Sequence, residues 1–164
     1  MTKTFLAAPS RRLVLTGLAG SLLVSPAAVA AHGYTAGTLE IDHPTITPTR
    51  GQVPVHAGYM TIINRGRTAD RLLSATSARA RRIELHTHIR EGDMMRMRPV
   101  EGGVAIPAGQ TVRFAPGGLH LMIYDVTGRV EEGDAFPITL RFERAGAVDV
   151  VAMGETPTAG GHRH

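Results

Sequence analysis

From residue 33 onward, apolar and polar residues alternate with a period of two over many short stretches, the pattern of strands with one buried and one wet face. The alternation predicts nine strands, at 38–42, 56–64, 71–75, 82–88, 94–98, 111–115, 119–124, 136–142 and 148–152. Turn signals separate them: Asn64-Arg65-Gly66, Glu91-Gly92-Asp93, Pro107-Ala108-Gly109, Pro116-Gly117-Gly118 and Glu132-Gly133-Asp134. In 136–142, Ile138, Leu140 and Phe142 alternate with Thr139 and Arg141, and 147–152 repeats the pattern, which predicts an antiparallel closing hairpin. After the N-terminal segment no stretch sustains a 3.6-residue period, and no internal repeat is present. Nine short strands so spaced predict an all-β sandwich or barrel.

The first 31 residues follow a different logic. Lys3, Arg11 and Arg12 precede an apolar run, Leu13 to Val24, then Pro26 and the small-residue stretch AAVAA. This is the three-part layout of an export signal, with cleavage expected after Ala30 or Ala31. Ser10-Arg11-Arg12-Leu13-Val14-Leu15 is similar to a twin-arginine signal, with Val where Phe is usual. The expected organisation is a signal peptide over 1–31, one β-sandwich domain over 32–154 and a polar, Gly-rich flexible tail over 155–164. The expected product is a periplasmic, soluble monomer without a membrane span.

Charge and cysteine content narrow the function. Three of the 18 basic residues and none of the 14 acidic ones lie in the first 31, so removing that segment lowers the net charge from +4 to +1. The high isoelectric point therefore gives no argument for nucleic-acid binding, and no basic patch interleaved with aromatics is present. There is no cysteine, so the fold rests on its core alone. A blue-copper electron-transfer site, which needs a thiolate, is excluded.

The chemistry concentrates between residues 83 and 123. In 82–88, Ile83, Leu85 and Thr87 share one face and Glu84, His86 and His88 the other; in 119–124, Leu119, Leu121 and Ile123 alternate with His120 and Met122. Met95 and Met97 share a face of 94–98. If these strands are neighbours with their aliphatic residues inward, imidazole nitrogen and thioether sulfur meet at a shallow site on the outer face. Thioether sulfur is soft and uncharged and suits Cu(I) rather than Mg2+, Ca2+ or structural zinc, while neutral imidazole binds copper in either oxidation state. Taken singly, each Met reads as core filler and each His as a hydrogen-bonded strand residue. The strand-borne His-x-Met opposite an aliphatic face is hard to explain by packing.

His86, ten intervening residues, Met97, and then His120-Leu121-Met122 resemble the H-x10-M…H-x-M signature of the PCu(A)C-type periplasmic copper chaperones. MRMRPVEGG, IPAGQTV, PGGLHLM and the upstream run from Gly37 through AGYMTIIN extend the resemblance over residues 33–153. It implies a cupredoxin-like antiparallel β-sandwich of Greek-key type that binds Cu(I) through His86, Met97, His120 and Met122. It further implies delivery to a haem-copper oxidase copper-centre subunit or exchange with a Sco-type thiol protein. Two departures stand out. The interval from Met97 to His120 is 22 residues, one more than the pattern carries, and the extra residue is assigned to the Glu101-Gly102-Gly103 turn, where an insertion should be tolerated. His43-Pro44 is followed by Thr45 where the family often has an aromatic.

Other residues have weaker claims. His88 is a candidate auxiliary ligand or a solvated strand histidine, and Met94 and Met95 are a candidate thioether relay or a hydrophobic rim. Arg96 and Arg98 are surface charges, one of which could dock an acidic partner. His162 and His164 in the tail, and His32 at the new N-terminus, are candidates for a secondary Cu(II) site. The leading function is a copper carrier and not an enzyme. The alternatives are an exported copper enzyme using a Cu(II) site around His32, and a plain β-sandwich interaction module in which these residues are incidental.

Overall fold

The computed structural model describes residues 33–51 and 55–157. Eleven strands follow in chain order: β1 (Gly33–Ala36), β2 (Leu39–Ile46), β3 (Val55–Asn64), β4 (Asp70–Thr76), β5 (Ala80–Glu91), β6 (Met94–Pro99), β7 (Val104–Ile106), β8 (Thr111–Phe114), β9 (His120–Val126), β10 (Ala135–Phe142) and β11 (Gly146–Gly154). The described residues contain no helix, and none long and apolar enough to cross a membrane. Hydrogen-bonded neighbours run β6-β5-β9-β3-β2-β11-β10-β4-β7, with β1 beside β2 and β8 beside β3. The expected hairpin is present: β10 and β11 pair antiparallel from Ala135↔Met153 to Phe142↔Gly146.

One core cluster draws on both ends of this path. Leu85, Leu121 and Ile123 come from one end, Leu72, Ile138, Leu140 and Phe142 from the other, and Ile41, Ile46 and Ile62 from the middle. The ribbon of strands is therefore folded over on itself, inner faces together, as a cupredoxin-like β-sandwich. Among the described strands, one pair departs from a purely antiparallel sandwich: β2 and β11 pair in parallel at Thr45↔Met153 and Ile46↔Gly154. A register shift between Asp42 and Thr45, where His43 takes φ 47°, bends β2. The half before the bend pairs with β1 and the half after it with β11. Bulges of this kind let one strand serve two neighbours.

Two of the eleven strands lie outside the sequence expectation. β1 (GYTA) and β7 (VAI) are too short to show alternation, and tertiary pairing with β2 and β4 defines them instead. Buried polar groups add specific ties. Asn64 donates from Nδ2 to Thr68 O (2.8 Å) and Ile106 O (3.2 Å) while its Oδ1 accepts from Gly66 N. Asp70 accepts from the backbone N–H groups of Arg71, Arg144 and Ala145 at 2.7–2.9 Å, pinning the β10–β11 turn to the start of β4.

In the 101–103 turn the two glycines differ in their surroundings. A Cβ on Gly103 (φ +84°) would lie 2.4 Å from Leu72 O, whereas one on Gly102 would meet nothing within 4 Å. The Arg71 guanidinium donates to both glycine carbonyls. A side chain at position 103 is therefore excluded by the β4 backbone. In residues 155–157, at the start of the segment assigned to the tail, Glu155 N donates to Ile46 O (2.9 Å) and its carboxylate meets His43 Nε2 (3.0 Å), while the Thr156 hydroxyl meets the Glu132 carboxylate and accepts from Arg50 (3.2 Å).

Candidate metal centre

The strand order β6-β5-β9 makes the three chemistry-bearing strands neighbours, and their registers align the side chains. Opposite one another stand Glu84 and Met122, and His86 and His120, across β5–β9. His88 faces Met97, and Arg90 faces Met95, across β5–β6. Directly opposed residues share a face with Cβ atoms about 4.5–5.5 Å apart, and diagonal neighbours lie at about 7–8 Å. His86, His88, Met95, Met97, His120 and Met122 therefore share one face, with Leu85, Leu121 and Ile123 buried behind it. Met97 is directly opposite His88 and diagonal to His86; Met122 is diagonal to His86.

The face is not uniformly shallow, which corrects the sequence expectation. His120 is only 3% exposed and the His86 side chain 12% exposed, whereas Met97 and Met95 are 50% and 58% exposed. Position in the sheet explains the gradient. β9 is flanked by β5 and β3, so a residue at its start is walled on both sides, while β6 is an edge strand with solvent beyond it. His86 and His120 sit in the floor with the half-buried Met122 beside them on β9, and Met95 and Met97 form the rim.

Local hydrogen bonds fix which nitrogens remain free. The Pro116-Gly117-Gly118 turn, closed by Gly118 N to Ala115 O (3.0 Å) with Gly117 at φ +79°, points the Gly118 carbonyl at two rings. His120 Nδ1 donates to it at 2.9 Å and His88 Nδ1 at 3.4 Å. Both therefore keep their lone pair on Nε2. His86 has the opposite arrangement. Its Nε2 donates to the Glu84 carboxylate at 3.0 Å, and its Nδ1 is buried with no hydrogen-bond partner. Burial pushes the His120 pKa down, assisted by the neighbouring His88 and His86 and opposed by the Gly118 hydrogen bond, which favours the neutral ring that metals bind.

Glu84 shares the face of His86 and is the residue that orients its ring, a partnership that strand alternation alone does not reveal. Its carboxylate lies 3.0 Å from His86 and 3.3 Å from Arg82, which stacks over the Tyr124 ring at 4.3 Å. The hydrogen bond from His86 first, then Arg82, Tyr124 and the His86 charge, hold its pKa below the usual carboxylate value against partial desolvation. The two-residue spacing Glu-x-His on one strand was the available signal. Arg96 and Arg98 both pair with Glu91, at 3.1 and 2.9 Å. His32, His162 and His164 lie outside the described residues.

Among the described residues, no three His, Asp or Glu side chains are arranged to hold a metal ion by themselves. A metal centre on this face would have to draw on thioether sulfur, and soft sulfur with neutral nitrogen is a donor set for copper.

The comparisons with known proteins agree with this fold. Residues 39–153 match the family model described as "Putative lipoprotein LpqE-like", and the chain belongs to that family, which is of the PCu(A)C type. "Putative lipoprotein Lxx21020" of Leifsonia xyli subsp. xyli is 29% identical over 144 residues, covering 87% of this chain and 86% of the relative. Among solved structures, the copper-bound PCuAC domain from PmoF2 superposes with a TM-score of 0.66 at 29% identity, over 77% of this chain and 99% of that one. The metal-free PCuAC domain from PmoF1 also gives 0.66, at 26% identity, over 77% and 100%.

Proposed function

We propose that this protein is an exported copper carrier that binds Cu(I) through His86, His120, Met97 and Met122 and hands it to a partner in the periplasm. The observation that carries this reading is the three-strand register, which puts these side chains on one face while leaving His86 Nδ1 buried and unpartnered. Each imidazole has its other nitrogen committed to a carboxylate or carbonyl, the arrangement that orients metal-ligating histidines. Likeness to a copper-bound PCuAC domain supports the choice of metal.

The gradient of exposure suits transfer rather than catalysis. Neutral thioethers bind Cu(I) without adding charge; Met97 on the rim can be replaced first by an acceptor's thiolate, while Met122 and the imidazoles behind it hold the ion until the exchange is complete. The acceptor is a haem-copper oxidase copper-centre subunit or a Sco-type thiol protein, as the family resemblance implies.

The purified protein is expected to bind about one Cu(I) per chain, with mixed sulfur and nitrogen neighbours in its X-ray absorption spectrum, as a single His/Met centre requires. An all-nitrogen or all-sulfur spectrum would sink the assignment. Glu84→Gln tests the orienting carboxylate. It should weaken Cu(I) binding by about 10–100-fold, read by competition against a chromophoric Cu(I) chelator. Unchanged affinity would remove Glu84 from the centre.

A further inference from the structure

We propose that His88 is a third imidazole donor of this centre, and that it lets the same site retain copper in the divalent state as well as the monovalent one. The inference rests on the copper-carrier reading and extends it to the choice of oxidation state.

The geometry points to His88 more strongly than to a solvated strand histidine. Its ring centroid lies 5.1 Å from that of His120, with planes tilted by 34°, closer than the 6.0 Å between His86 and His120. A metal–imidazole bond of about 2.0–2.1 Å puts a ring centroid roughly 3.1–3.2 Å from the ion, so two rings on one ion stand at most about 6.4 Å apart. Both separations fall inside that limit. His88 shares the Gly118 carbonyl with His120, so its lone pair is on Nε2. It also stands directly across from Met97, so a metal reached by the Met97 sulfur lies beside His88 before it lies beside His86.

As the side chains stand, the three rings do not close on one point, so one must turn. His88 is the one held most loosely: its bond to Gly118 is 3.4 Å, against 2.9 Å for His120 and 3.0 Å for His86 to Glu84.

The chemistry then separates the two oxidation states. Cu(I) is satisfied by few donors and accepts soft sulfur, so His86, His120, Met97 and Met122 suffice for it. Cu(II) favours nitrogen and oxygen in a tetragonal arrangement and tolerates thioether as a long axial ligand. Two imidazoles provide half of such a plane; a third makes the site competent for Cu(II), with a methionine in the axial position. No electron transfer is implied: each ion binds as supplied.

The test uses the full chain with His32, His162 and His164 replaced by Gln in every sample, so that terminal imidazoles cannot hold Cu(II). His88→Gln and His88→Asn are compared with this parent. Each is expected to lower Cu(II) affinity by about tenfold or more while changing Cu(I) affinity by less than about threefold. The Cu(II) electron paramagnetic resonance spectrum should lose one of three coupled nitrogens. Unchanged Cu(II) affinity and nitrogen count, or equal loss of both ions in variants that melt like the parent, would overturn the proposal. A parent that binds Cu(II) through three nitrogens but no Cu(I) would refute the carrier reading and leave the role of His88 standing. A parent that binds neither ion would refute both.

Discussion

Replacing His120 by Gln and Met122 by Leu together is expected to lower Cu(I) affinity by on the order of a thousandfold or more, since loss of a mere orienting partner already costs about 10–100-fold. The pair is the strongest single test because the two residues sit two apart on the best-walled strand. His120 is buried against the Gly118 carbonyl, and Met122 stands directly opposite Glu84 of β5. Neither replacement opens a large cavity: Met to Leu conserves volume, and Gln keeps a polar group that can donate to Gly118. A thermal melt close to the parent's, together with the lost affinity in a chelator competition, would locate the effect at the metal. Copper binding that survives intact would mean that these residues are incidental and the protein is an interaction module.

The second large effect is expected far along the strand order from the metal face. Asp70→Ala leaves the N–H groups of Arg144 and Ala145, and that of Arg71, without their acceptor. A stranded buried donor costs about 1–3 kcal/mol. The substitution should therefore destabilise the fold by about 3 kcal/mol, lowering the melting temperature by roughly 10 °C in a domain of this size. Asp70→Asn keeps one acceptor oxygen and should fall between the two. Calorimetry on the metal-free protein decides it, and a shift below about 2 °C for the Ala variant would mean that water replaces the carboxylate. Cu(I) affinity should stay near the parent value in both variants, because the Asp70 carboxylate holds the start of β4 and the β10–β11 turn and bonds to no residue of β5, β6 or β9.

The alternation rules read the long strands well because each has one face on the core. β3 and β10 show unbroken burial of every second residue, and the faces of His86, His120 and Met122 follow from the same period. What alternation cannot supply is which strand lies beside which. That β5 sits between β6 and β9, and that β2 runs parallel to β11, depends on pairing between residues far apart in sequence. The depth of His120 was hidden for this reason: the sequence gives its face, but only the flanking strands give its burial. The role of Asp70 was equally invisible, since its three donors come from its own neighbour and from residues more than seventy positions away. His56, read only as part of a strand, turns out to be buried at 4% exposure and satisfied by Thr47 O at 2.7 Å. Nothing local in the sequence indicates the partner, which lies nine residues earlier, just after the end of β2.

The edge position of β6 has a consequence for solubility. A strand whose residues are all exposed, and which borders solvent along one side, offers unpaired amides on which another chain's strand could add. Charged side chains and proline on such a border discourage that addition. β6 has Arg96 and Arg98 pinned by Glu91 and ends in Pro99, while Arg90 stands opposite Met95. Cationic groups interleaved with the sulfur-bearing residues would meet like charge in any second copy brought alongside in register. The margin that carries Met95 and Met97 can then remain uncovered without seeding polymerisation of the protein.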